Sequence, residues 1–285
     1  MPLPLDIWWG LTVFVFLGGL CIGSFLNVCI WRIPREESIV VPGSHCPACQ
    51  HAIAPWDNIP LLSWLWLRGR CRHCRGPISA RYFFVELLTG AVFTLLWLVH
   101  GWSVLTPLYL VFAAALLMAA FIDIDHLILP DRVTIGGMIL GPVLSFAIPA
   151  LHGQTERLPA LAQSGIGLAL GYGLLWLVAT IGRLVLKREA MGMGDLKLLG
   201  AIGACLGWQA VLFAILVSSL SGTLLGLGLI AAGQKQLQSK IPYGPHIVLA
   251  AILWMLVGPA CIDAYIAWAS GAGGRALPVR TGDLP

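Results

Sequence analysis

Two stretches of this chain put carboxylates where carboxylates are costly. Gly192-Met193-Gly194-Asp195-Leu196-Lys197 opens one apolar run, and Asp123-Ile124-Asp125-His126-Leu127-Ile128-Leu129-Pro130-Asp131 closes another. An ionisable side chain at membrane depth is a functional candidate unless a partner neutralises it. Two carboxylates brought together cannot both stay ionised; they share a proton, and the pair can activate water as general acid and base. That is the chemistry of an aspartic protease. Asp195 is one candidate member, with Asp123, Asp125 and Asp131 available as the other. Asp131 follows Pro130, where a first-turn helix acid is favourable in any case. Gly192 and Gly194 remove Cβ atoms just ahead of Asp195, which lets backbone or an extended substrate approach. The plainer alternative for Gly-Asp is an ordinary helix cap.

A second constellation is Cys46-Pro47-Ala48-Cys49 with Cys71-Arg72-His73-Cys74. Two C-x-x-C knuckles at this separation match a four-thiolate zinc site. Two disulfides are the alternative, disfavoured if the segment faces a reducing compartment. Four thiolates fill a tetrahedral shell, so one zinc per chain would be structural, folding a segment too small to build its own core. His45, His51 and His73 then lie beside a complete ligand set.

These groups need elements to hold them, and composition says which. Of 285 residues, 58% are hydrophobic and 11% charged, with mean hydropathy +0.87. Soluble domains carry about 25% charged residues, so this is a polytopic membrane protein. Apolar windows fall near 8–30, 83–100, 104–122, 133–150, 163–186, 196–208, 209–232 and 245–269. The expectation is an all-α protein with about eight transmembrane helices, the sixth being short. The first window reads as a retained helix, without the basic start or small-residue cleavage site of a secretion signal. With the N-terminus outside, 14 of the 17 Lys and Arg fall on the cytoplasmic side, leaving Arg157, Arg275 and Arg280 outside. Both Asp segments then open toward the cytoplasm. The organisation expected is a first transmembrane helix at 1–30, a cytoplasmic zinc loop domain at 31–82, a membrane core at 83–270 and a disordered tail at 271–285.

Within the first helix, Gly19 and Gly23 allow close helix packing, and Asn27 is expected to hydrogen-bond across an interhelical contact or to touch substrate. Glu86 reads as an acid favoured by the start of the second helix. Cys21, Cys29, Cys205 and Cys261 lack basic neighbours and read as packing residues.

Taken in order, these motifs resemble the type IV prepilin peptidases, the leader peptidases and N-methyltransferases of the Gly-x-Gly-Asp class of intramembrane aspartic proteases. The likeness runs through Gly23-Ser24-Phe25-Leu26-Asn27-Val28, Ser44-His45-Cys46-Pro47-Ala48-Cys49 and Trp56 to Trp64. It continues through Arg68-Gly69-Arg70-Cys71, Arg81-Tyr82-Phe83, Glu86-Leu87-Leu88-Thr89-Gly90, the Asp123–Asp131 segment, Gly192 to Lys197 and Pro242-Tyr243-Gly244-Pro245. The resemblance implies catalytic Asp123 and Asp195, with Gly192, Gly194 and Lys197 supporting the site. It implies type IV prepilins or type II secretion pseudopilins as substrates, cut after a leader glycine at the cytoplasmic face of the bacterial inner membrane. It also implies N-methylation of the new terminus from S-adenosylmethionine. No G-x-G-x-x-G loop follows a strand, so spacing does not locate the donor, which is expected on the 31–81 loop or first helix.

The competing class is a non-enzymatic, zinc-stabilised transporter or assembly scaffold whose acids carry protons or hold helices together. A transporter should show a repeat relating its halves, and none is visible. A zinc protease would need H-E-x-x-H, which is missing. Membrane lipid is the other partner expected, and nucleic acid is not.

Overall fold

The computed structural model describes residues 4–187, 191–233 and 242–270. The 271–285 tail lies outside them. Among the described residues the regular structure is helical, and the chain divides into two compact units that meet in sequence at Met118 and Ala119.

The first unit holds α1 (Leu5–Arg32), the one-turn α2 (Leu62–Trp66), α3 (Ala80–His100) and the start of α4 (Leu105–His126). Helices α1 and α3 approach with their backbones nearly touching. A Cβ at Gly19 would lie 2.8 Å from Gly90 Cα, and one at Gly23 would lie 2.7 Å from Glu86 Cα. Small residues here therefore set the packing distance, as in other membrane helix pairs. Polar links reinforce the contact. Asn27 Nδ2 donates to Tyr82 O at 3.1 Å, and Trp97 Nε1 donates to Thr12 Oγ1 at 3.0 Å. Asn27 is thus an interhelical hydrogen-bond residue, with 6% exposure.

Between α1 and α3 the chain makes two knuckles of the same design. Cys46 N–H donates to His51 O and Cys71 N–H to Gly76 O, each at 2.9 Å. Each C-x-x-C is followed by a left-handed residue, Gln50 at φ 58° and Arg75 at φ 59°.

The second unit contains the end of α4, α5 (Asp131–Ala147), α6 (Arg157–Leu186), α7 (Met193–Leu206), α8 (Trp208–Ala231) and α9 (Gly244–Ala269). Helix α7 is its axis: every residue from Asp195 to Leu206 except Lys197 is buried. Helices α5, α6, α8 and α9 all pack on it. Glycines make room: Gly167 faces the Gly203 carbonyl, Gly171 faces the Leu199 carbonyl, and a Cβ at Gly141 would meet Ala204 Cβ at 2.7 Å.

All eight expected helices form. Six are long and apolar enough to cross a membrane: α1, α3, α4, α6, α8 and α9. The remaining two are shorter, 17 residues in α5 and 14 in α7. At 1.5 Å per residue, α7 covers only about 21 Å of a hydrocarbon layer about 30 Å thick. It can be this short because neighbouring helices, not lipid, surround it from Leu198 to Leu206.

Candidate active site and metal centre

Helix α4 delivers Asp123 in its last turn, and Leu127, at φ 54°, stops the helix there. The chain turns back through Ile128, Leu129 and Pro130 into α5. At the start of α7, Gly192 leaves the helix uncapped by any side chain, and Asp195 stands in the first turn. Asp123 and Asp195 are 6% and 9% exposed, and close enough for their charges to interact. Both line a cavity of about 240 Å³ together with Leu129, Asp131, Met193 and Lys197.

The glycines around this cavity have separate jobs. A Cβ at Gly194 would lie 3.0 Å from Leu129 Cβ, so Gly194 lets the α4–α5 turn lie against α7. A Cβ at Gly192 would lie 3.3 Å from Asp195 Oδ2. Lys197 Nζ donates to Asp131 Oδ1 at 2.7 Å on the rim, tying α7 to the first turn of α5. Both partners are partly exposed, 28% and 60%, so the pair contributes within about 0–1 kcal/mol. Asp125 and His126 are exposed and do not line the cavity.

One residue of this site was not nominated from sequence. The Gly244 N–H, at the start of α9, donates to Asp123 Oδ2 at 3.0 Å, and a Cβ at Gly244 would stand 2.7 Å from that oxygen. In the sequence, Pro242-Tyr243-Gly244-Pro245 stood only as one of the motifs of the family resemblance, with no role attached. The signal was present, since only glycine combines an N–H with that clearance.

The four knuckle thiols converge, all Sγ atoms lying within 4.8 Å of one another. Tetrahedral zinc with Zn–S of about 2.3 Å requires sulfurs about 3.8 Å apart. Cys46 Sγ and Cys74 Sγ are 3.8 Å apart and no pair exceeds 4.8 Å, so the donor set fits the metal with shifts of about 1 Å or less. All eight cysteines are free thiols. N–H groups of Cys74 and His73 push the Cys71 thiol down to about 7. At Cys49 the His51 N–H acts in the same sense, but burial and the three other thiols outweigh it and push the thiol up to about 11. Four thiols this close cannot all ionise unaided, and a dication is what removes the conflict. The His51 and His73 rings stack across the two knuckles at 4.0 Å rather than joining the ligand set.

Glu86 is not a helix-start acid. Ser79 caps α3 by accepting the Arg81 N–H, which leaves Glu86 well inside the helix. It is 8% exposed, accepts the Leu61 N–H at 2.8 Å, and is hydrogen-bonded to Ser24. It therefore latches the loop to α1 and α3. Asp57 is likewise engaged, in a bidentate pair with Arg72 at 2.6 to 3.0 Å that holds its carboxyl below the usual range.

Fold and site together define a helical, multi-pass membrane protein with a buried two-carboxylate site of the kind aspartic peptidases use. The family model of the bacterial peptidase A24 N-terminal domain matches residues 17–100, and that of the type IV leader peptidase family matches residues 110–227. The chain belongs to the type IV leader peptidase family. A prepilin leader peptidase/N-methyltransferase of Aeromonas hydrophila is 41% identical, over 84% of this chain and 89% of the relative. Those of Myxococcus xanthus and Pseudomonas aeruginosa are 44% and 33% identical, covering 78% and 88% of this chain and 64% and 92% of the relatives. No solved structure matches the chain.

Proposed function

We propose that this protein is a bifunctional membrane enzyme that removes the leader of type IV prepilins and pseudopilins and then N-methylates the exposed terminus. The observation that carries the peptidase half is the burial of Asp123 and Asp195 in one cavity at the ends of α4 and α7. Such a pair holds one proton. The ionised member takes a proton from water while the protonated member hydrogen-bonds the scissile carbonyl, and the proton positions then exchange as the amine leaves. No covalent intermediate is needed. Gly192 leaves room beside the Asp195 carboxylate, Gly194 lets the α4–α5 turn close against α7, and Gly244 holds Asp123 in register.

Cys46, Cys49, Cys71 and Cys74 would hold one structural zinc that folds the loop; with four sulfurs bound it has no position left for water. Methyl transfer draws on S-adenosylmethionine, which supplies the methyl group as a sulfonium. The Lys and Arg distribution supports an N-terminus outside the bacterial inner membrane and a site open to the cytoplasm. The test is incubation of the purified, detergent-solubilised chain with a prepilin and S-adenosylmethionine, followed by intact-mass measurement. Loss of the leader mass and gain of about one methyl group are separate readouts. An unprocessed prepilin would refute the reading.

A further inference from the structure

Apart from the dyad cavity, the first unit holds a cavity of its own, about 320 Å³, between the C-terminal part of α1 and the loop segments 39–44 and 58–60. That volume is at the lower end of small-molecule sites, about 300–1,000 Å³. It is a built feature. Arg32, 6% exposed, forms part of its wall and donates through Nη1 to Ser38 O at 2.9 Å and through Nη2 toward Gly43 O at 3.3 Å, which fastens the outer wall to α1. On the other side, Ser24 lines the cavity and is hydrogen-bonded to Glu86, whose carboxylate also takes the Leu61 N–H beside the wall residue Pro60. Arg32 thus lines this hollow directly, and Glu86 braces its wall from behind through Ser24 and Leu61.

The geometry points to this cavity as the methyl-donor site, taking the sulfonium nucleoside S-adenosylmethionine; the inference rests on the methyl-transfer half of the proposed function. The lining suits that ligand part by part. Phe25, Val28 and Val40 offer apolar surface to a purine, and Ser24, Ser44 and Asn58 offer hydroxyl and amide groups to its edge and to the ribose. Arg32 brings a cation for the carboxylate tail, and Glu86, hydrogen-bonded to the lining residue Ser24, places a carboxyl group behind that wall. In the transfer itself, the lone pair of a neutral N-terminal amine forms the N–C bond to the methyl carbon. The C–S bond breaks with its electron pair passing to sulfur, S-adenosylhomocysteine leaves, and the methylammonium releases one proton to water. An α-amino group, with pKa about 7.7–8.0, supplies enough neutral amine near pH 7.5 without a dedicated base.

The experiment is calorimetric titration of the full chain in detergent with S-adenosylhomocysteine, comparing wild type with Ser44→Trp on the loop wall and Val28→Trp on the helix wall. The expected result is one ligand per wild-type chain and at least tenfold weaker binding in each variant, with zinc content and prepilin cleavage unchanged. Variants that keep their zinc and bind within twofold of wild type overturn the site but leave the methyl-transfer reading standing. A wild-type chain that neither binds the ligand nor methylates an already cleaved pilin peptide overturns that reading and the site with it. If a tryptophan strips the zinc, photo-crosslinking of wild type with an azido-adenosyl donor decides. Label on peptides from 21–44 or 58–60 supports the site, and label elsewhere overturns it.

Discussion

Gly244→Ala tests the reasoning about the dyad most sharply, because it adds one methyl group and removes nothing. The new Cβ would stand 2.7 Å from Asp123 Oδ2 and 3.2 Å from its Cγ. Ordinary carbon–oxygen contact needs about 3.3 Å, so the carboxylate must retreat by about 0.6 Å or the helix must shift. The main-chain N–H is retained, and alanine is favoured over glycine in a helix by up to about 1 kcal/mol, so α9 should still form. A misplacement approaching 1 Å at a reacting group costs about 100-fold in rate, equivalent to about 2.7 kcal/mol of barrier. Cleavage of a prepilin by the Gly244→Ala variant, followed by mass, should fall by that factor, while zinc content and methylation of an already cleaved peptide hold. Gly194→Ala should be milder, near tenfold or about 1.4 kcal/mol, because its Cβ meets Leu129, at 3.0 Å from the nearest atom, rather than a reacting atom. Gly244→Ala cleaving within threefold of wild type, in protein of normal zinc content, would refute the role assigned to this contact.

Asp123→Asn and Asp195→Asn should each abolish cleavage in protein that still inserts and binds zinc, since an amide cannot exchange the shared proton. Asp125→Asn, altering an exposed side chain, should retain most activity in the same mass assay. Metal analysis of protein purified under reducing conditions should find one zinc per chain, and Cys71→Ser should lose it and expose the 33–79 segment to protease. Glu86→Leu strands the Leu61 N–H and the Ser24 hydroxyl, so thermal unfolding in detergent should report a loss of about 1–3 kcal/mol, whereas Leu88→Ala, at a site 41% exposed, should move it little. Asp57→Ala should also disturb the zinc loop, because it frees Arg72 beside Cys71, and so it is a poor probe of methyl transfer alone.

How much of this was legible beforehand depended on whether the relevant free energy is local. Hydropathy is a sum over neighbours along the chain, so the helices fell where the apolar windows did; 8–30 became Leu5–Arg32 and 245–269 became Gly244–Ala269. C-x-x-C spacing is local too, and each knuckle folds within six residues of its first cysteine. Small residues at Gly19 and Gly23 announced a close contact without naming the helix that makes it. What the linear order could not supply was partnership. Gly244 reaches Asp123 across 121 positions, and Glu86 holds both Leu61, 25 positions before it, and Ser24, farther back in α1. The Gly244–Asp123 pairing belongs to the second unit, where α5, α6, α8 and α9 pack on α7 and glycines bring α5 and α6 close to it. At the head of α7 that packing gathers the end of α4, the α4–α5 turn and the start of α9, and it takes Asp123 into the cavity while Asp125, two residues on, stays exposed. Residue types and spacing determined the chemistry available to this protein; the packing around one short buried helix decided which carboxylates could perform it, because burial and proximity are properties of the whole fold and not of any segment.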